Sequence, residues 1–119
     1  MIIGIDIGAS TTKAVALEEL RTAKFISVKT TEATTSASTA LEKLLTLMGR
    51  SPRDVTTIAV SGGGARSVEE TLLGIPVVKV DEIRAIGVGG LALSGKKQAL
   101  VVSMGTGTAL VAAYEGGRR

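Results

Sequence analysis

The opening run Ile2-Ile3-Gly4-Ile5-Asp6-Ile7-Gly8 alternates with a period of two, and nothing else in the chain constrains the fold as strongly. Ile3, Ile5 and Ile7 fall on one face of a strand and Gly4, Asp6 and Gly8 on the other. The isoleucine face needs a covering layer, whereas Asp6 must end up at the strand's end beside the turn Ala9-Ser10-Thr11-Thr12. Lys13 follows where a second apolar strand begins. Gly8 lets a ligand approach the backbone closely, and the turn's N–H and O–H donors, with Lys13, can surround phosphate oxygens. Asp6 would repel those oxygens directly, so its place in such a site is through the water shell of a Mg²⁺ that bridges them. A polar β-hairpin carrying a chance aspartate is the plainer alternative.

The remaining pattern predicts two more strands, at Thr12 to Glu18 and Phe25 to Thr30, joined near Arg21. Ala37, Ala40, Leu41, Leu44, Leu47 and Met48 recur at helical spacing, with Thr39 and Glu42 as a candidate capping box and Gly49 as the stop. A strand from Val55 to Ser61 then leads into Gly62-Gly63-Gly64. A short helix carrying Val68, Leu72 and Leu73 is predicted next, then a buried strand from Val77 to Val80. Asp81 caps a helix running to about Leu93, and Ala99 to Tyr114 closes the pattern as a hairpin. Three consecutive strands followed by alternating helices and strands predict an α/β fold, a mixed sheet with helices on both faces.

Composition narrows the chemistry. The 119 residues include one Phe, one Tyr and no Trp, so a core must be built from Val, Ile, Leu and Ala. Cysteine and histidine are both absent, which excludes disulfides, Cys/His zinc sites, iron–sulfur clusters, thiol nucleophiles and histidine bases supplied by this chain. The net charge of +3 is scattered and there is little aromatic surface for bases to stack on. Neither a nucleic acid nor a membrane is expected as a partner, and a cytoplasmic location is the default.

Ala99 to Ala113 repeats the opening design: an apolar strand, the Gly/Thr turn Gly105-Thr106-Gly107-Thr108, and a second apolar strand. With Gly4-Ile5-Asp6-Ile7-Gly8 and Lys13, Ser61-Gly62-Gly63-Gly64-Ala65-Arg66, and Val80-Asp81-Glu82, this order resembles the actin, Hsp70 and sugar-kinase superfamily of ATPases. Within it, the chain looks most like the type II pantothenate kinases. The resemblance implies a ribonuclease-H-like (actin-like ATPase) domain at residues 1–96. Residues 97–119 would be the opening hairpin of a second domain that carries the adenosine pocket in those kinases. The missing cysteines set the chain apart from the iron–sulfur dehydratase activators that share this fold.

The resemblance also assigns roles. Asp6, Gly8, Ala9, Ser10, Thr11, Thr12 and Lys13 would meet the phosphates of ATP, with Mg²⁺ held near Asp6 through water. Gly105, Thr106, Gly107 and Thr108 would form the second phosphate clamp, a plain hairpin turn being the alternative. Glu82, in the first turn of a helix that favours negative charge there, would take the proton of an acceptor hydroxyl. Arg84 stands where the family often has an acid and is placed to pair with Glu82. Gly62, Gly63 and Arg66 would face the acceptor, pantothenate by resemblance, and Arg119 matches an arginine facing the reacting groups. The expectation is thus the phosphate-binding half of a small-molecule kinase. Its uncharged last hairpin has open edges that invite a homodimer. One rival is a non-catalytic, self-associating fragment or designed half-domain that binds phosphate weakly. The other, a nuclease, lacks the several carboxylates it needs, since no acid stands beside Asp6 at Ser61.

Overall fold

The computed structural model describes residues 1–19, 21–105 and 107–115. The chain divides into two compact units, Met1–Lys79 and Val80–Arg119. The expected boundary fell near residue 96; in the structure, the helix that follows Asp81 groups with the hairpin instead.

The first unit holds a six-stranded mixed sheet. Strands β1 (Ile2–Ile7), β2 (Thr11–Glu18) and β3 (Arg21–Lys29) form an antiparallel meander. β4 (Thr57–Ser61) joins β1 in parallel, and β6 (Ile75–Lys79) joins β4 in parallel. β5 (Thr71–Leu72) pairs antiparallel with β6 at the edge, giving the order β3-β2-β1-β4-β6-β5. Helix α1 (Ala33–Met48) packs on β1, β2 and β3. Its Ala37, Ala40, Leu41, Leu44 and Leu45 meet Ile3, Ile5, Ile7, Ala14, Ala16, Ile26, Ile58 and Val60 in one core. Each large aliphatic side chain fully buried there contributes about 1.5–3 kcal/mol.

Three local expectations are corrected. Leu45 replaces Leu47 on the packed face of α1, Leu47 being 55% exposed, because the buried stripe follows Leu41, Leu44, Leu45 and Met48 around the helix. The helix starts earlier than Thr39: Glu32 is its cap, accepting from the N–H groups of Thr34 at 3.2 Å and Thr35 at 2.9 Å. These bonds hold the Glu32 carboxyl below its usual range. The helix predicted around Val68, Leu72 and Leu73 is a single 3₁₀ turn, Ala65–Ser67, followed by a β-hairpin. Leu73 (φ 52°) and Gly74 (φ 80°) form a two-residue turn with both φ positive, which matches the twist of the flanking strands. Leu72 and Ile75 are buried on either side of that turn, and Val68 and Leu72 only mimic a helical repeat.

The second unit is helix α2 (Glu82–Ser94) against the antiparallel hairpin β7 (Gln98–Met104) and β8 (Thr108–Tyr114). Asp81 caps α2 as expected, its Oδ2 accepting from the Arg84 N–H at 3.0 Å. Gly87 and Gly90 let the hairpin sit close. A Cβ on Gly90 would fall 2.5 Å from Val101 Cγ2, and one on Gly87 3.3 Å from Val111 Cγ1. Among the described residues no helix is long and apolar enough to cross a membrane.

Tight packing at the end of β1 gives a direct test. A Cβ on Gly64 would lie 2.5 Å from Ile7 Cγ2, while one on Gly63 meets open space. Gly64→Ala is expected to lose about 1–3 kcal/mol in urea unfolding and Gly63→Ala no more than about 0.5 kcal/mol. Equal effects would contradict the packing.

Candidate functional site

The pairing of β1 builds a polar row at its C-terminal end. Asp6 lies opposite Lys13 on β2 and opposite Ser61 on β4, and Lys13 in turn lies opposite Ser27 on β3. All four therefore belong to the sheet face away from the isoleucines. Burial pushes the Asp6 carboxyl above its usual range, and the Lys13 ammonium offsets part of that rise. Gly62 (φ +95°) packs directly on this carboxylate: a Cβ there would fall 2.5 Å from both Asp6 Oδ1 and the Ile7 carbonyl. Only glycine fits that backbone conformation at that distance.

Beside Asp6, the chain reverses through Gly8, Ala9, Ser10 and Thr11, closed by a 3.0 Å bond from the Gly8 N–H to the Thr11 carbonyl. Ala9 and Ser10 are exposed, and among the described residues their N–H groups donate to no backbone carbonyl. Lys13 is exposed as well. Thr12 behaves differently from its neighbours. It is wholly buried, and its hydroxyl meets that of Thr30 at 2.8 Å, which suits it to holding the turn rather than touching a ligand.

A cleft of about 260 Å³ opens next to the turn. It is lined by Gly8, Ala9, Thr30 and Thr31 at and beside the turn, by Gly63 and Gly64 of the glycine segment, and by Ile7 and Ala33. The glycine segment thus contributes two lining residues to the cleft and a close contact to Asp6, although it opens only a three-residue 3₁₀ turn and no long helix. Arg66 is exposed in that turn, and its carbonyl accepts from Lys79 Nζ at 2.9 Å. Thr30 and Thr31 are the contributors that sequence spacing missed. Their signal is compositional: two hydroxyls at the joint between a strand and a helix.

In the second unit, Glu82 is exposed in the first turn of α2. Gly105, Gly107 and Thr108 are exposed around the β7–β8 turn, where the Gly105 N–H donates to the Gly107 carbonyl at 2.8 Å. Thr106 and Arg119 lie outside the described residues. No cluster of three or more His, Cys, Asp or Glu side chains occurs among the described residues. The lone carboxylate of Asp6, flanked by exposed donors, fits a hydrated Mg²⁺ that keeps its waters and shares phosphate oxygens; it does not fit a cation caged by protein ligands.

No protein-family profile matches this sequence, and no curated protein matches it either. Its likeness is to solved structures. A ROK hexokinase from Thermus thermophilus matches with a TM-score of 0.71 at 19% identity, over 97% of this chain and 46% of the hexokinase. A ROK family glucokinase from Streptomyces griseus, in complex with glucose and AMPPNP, matches at 0.69 and 18% identity, over 98% of this chain and 45% of that one. The activator of 2-hydroxyisocaproyl-CoA dehydratase from Clostridium difficile, with bound ADPNP, matches at 0.60 and 25% identity, over 74% of this chain and 32% of that one. This chain therefore spans about a third to just under half of these structures. What they share with it is the actin-like ATPase fold, the ribonuclease-H-like mixed sheet expected from the sequence.

The raised Asp6 pKa fixes the sign of a pH effect. Between its unfolded and folded values the folded chain holds more protons, so stability falls as pH rises through that window and the cost is fully present above it. Asp6→Asn is expected to raise the Tm at pH 7, with the gain shrinking as pH drops through the carboxylate range. A loss of Tm that is equal at every pH would show that the carboxylate is a structural hydrogen-bonding group instead.

Proposed function

We propose that this chain is the phosphate-binding part of an ATP-dependent kinase that transfers a phosphoryl group to a small hydroxyl-bearing acceptor. The observation that carries the reading is the Gly8–Thr11 turn with free N–H donors, set beside Asp6 and Lys13 at the end of a buried strand. The ATP analogues bound by the dehydratase activator and the glucokinase support a nucleotide ligand, and the kinases among the similar structures support a hydroxyl acceptor. Mg²⁺, when bound with the nucleotide, supplies charge neutralisation across the phosphates. Asp6 would hold its water shell, Lys13 would neutralise phosphate charge, and Ala9, Ser10 and Thr11 would donate from the turn. The cleft beside Gly63 and Gly64 is of a size for a small acceptor, with Arg66 nearby in sequence.

The second unit's roles rest on the sequence resemblance alone: Glu82 as the base toward the acceptor hydroxyl, and Gly105 to Thr108 as a further phosphate contact. The narrower likeness to pantothenate kinase, with coenzyme A biosynthesis as its setting, rests on the same residues. So does the choice of pantothenate as acceptor. A cytoplasmic location belongs to this reading too. Phosphoryl transfer of this kind depends on positioning and electrostatics rather than on covalent help from the protein.

Calorimetric titration with Mg-ATP, Mg-pyrophosphate and adenosine separates phosphate from nucleoside recognition. The expected result is binding of the first two at about 0.1–1 mM, a free energy of about 4–5.5 kcal/mol, with adenosine silent. Asp6→Asn should weaken the Mg²⁺-dependent part. Submicromolar adenosine binding, or an Asp6→Asn variant with unchanged metal dependence, would overturn the reading.

Assembly as a homodimer is part of the same proposal. One face of the β7–β8 hairpin presents Leu100, Val102, Met104 and Leu110, all at least half exposed, and residues 98–114 carry no charge. A contiguous apolar face on a two-stranded sheet is marginal in water and suits burial against an identical face. Val101 and Val111 point the other way, toward Gly90 and Gly87, so they are unsuitable probes. Light scattering over a dilution series should show a dimer that Val102→Lys with Leu110→Lys converts to monomer. A monomer at all concentrations would exclude it.

A further inference from the structure

The turn beside Asp6 is held by one residue that the phosphate reading did not include. Thr30, just past the end of β3, bonds to this turn twice. Its hydroxyl donates to the Gly8 carbonyl at 2.8 Å, and its N–H donates to the Ser10 carbonyl at 2.9 Å. The same hydroxyl lies 2.8 Å from that of buried Thr12, which fixes its rotation. All the peptides described here are trans, and a trans peptide carries its C=O and N–H on opposite sides. With the Gly8 and Ser10 carbonyls both drawn toward Thr30, the N–H groups of Ala9 and Thr11 are directed away from it. Two carbonyl oxygens that would repel an anion are thereby turned from the side on which donors are offered.

We propose that Thr30 is a positioning residue for phosphate recognition: its paired bonds to the Gly8 and Ser10 carbonyls fix the turn with its N–H donors facing a polyphosphate. Its hydroxyl and N–H are both spent on the turn, so it offers no donor to the phosphate itself. The β3–α1 joint is anchored in turn, since the Thr31 N–H donates to the Oγ of buried Ser36 at 2.7 Å on α1. The clamp is therefore tied to the packed core and not to a free loop. This inference rests on the phosphate reading above and adds the residue that makes the turn selective for an anion.

The test compares the wild-type chain with Thr30→Val, which keeps the shape and removes the hydroxyl, and Thr30→Ser, which restores it. Each is titrated with Mg-pyrophosphate and melted without ligand. Thr30→Val is expected to weaken pyrophosphate about tenfold, corresponding to about 1.4 kcal/mol, while keeping a cooperative melt. Thr30→Ser is expected to bind within about threefold of wild type, about 0.7 kcal/mol. A wild-type chain that binds no pyrophosphate overturns the phosphate reading and this inference with it. Wild-type binding that Thr30→Val leaves within about twofold, or that Thr30→Ser fails to restore, overturns the role of Thr30 alone.

Discussion

The first unit depends on β1 being paired on both sides while burying only one of its faces. Antiparallel β2 and parallel β4 satisfy its backbone, and α1 covers Ile3, Ile5 and Ile7. The alternation that buries three isoleucines obliges Asp6 to occupy the opposite face, between Lys13 and Ser61. Slipping the register by one residue would put Asp6 in the core and the isoleucines outside, so the hydrophobic pattern and the position of the carboxylate are one constraint.

That position costs stability. Burial disfavours the charged form of Asp6, and Gly62 is pressed against it in a backbone conformation other residues avoid. Groups whose environment disfavours their charge, beside exposed donors, mark candidate ligand sites. A cation's water shell would offset that cost here. The hydroxyls of Thr12 and Thr30 belong to the same arrangement, because a buried threonine hydroxyl must find a partner and here its partner holds the turn.

Much of this was legible in the sequence where local chemistry and global fold agree. The β1 alternation, the Gly49 stop of α1 and the Asp81 cap of α2 are short-range signals, and each holds in the structure. Leu72 and Leu73 misled because a two-residue β-hairpin and one helical turn space their apolar residues alike; the positive φ of Leu73 is set by pairing with β6. Thr12 was grouped with the exposed hydroxyl residues of the turn as a ligand contact, yet the strand period sends it inward. Thr30 was invisible, being eighteen residues from Thr12 and twenty-two from Gly8 and brought to them only by the β2–β3 pairing. The grouping of α2 with the hairpin depends on Gly87 and Gly90 meeting Val111 and Val101, a match of shapes that no periodicity shows.

The Gly8–Thr11 turn, next to Asp6 and Lys13, is where phosphate is proposed to bind. Amide chemical-shift mapping of the ¹⁵N-labelled chain during addition of Mg-pyrophosphate tests it most directly. The largest shifts should fall on Gly8 to Lys13, with the Asp6 neighbourhood responding only when Mg²⁺ is present. Shifts confined to exposed lysines such as Lys96 and Lys97, or to the first turn of α1, would contradict the claim.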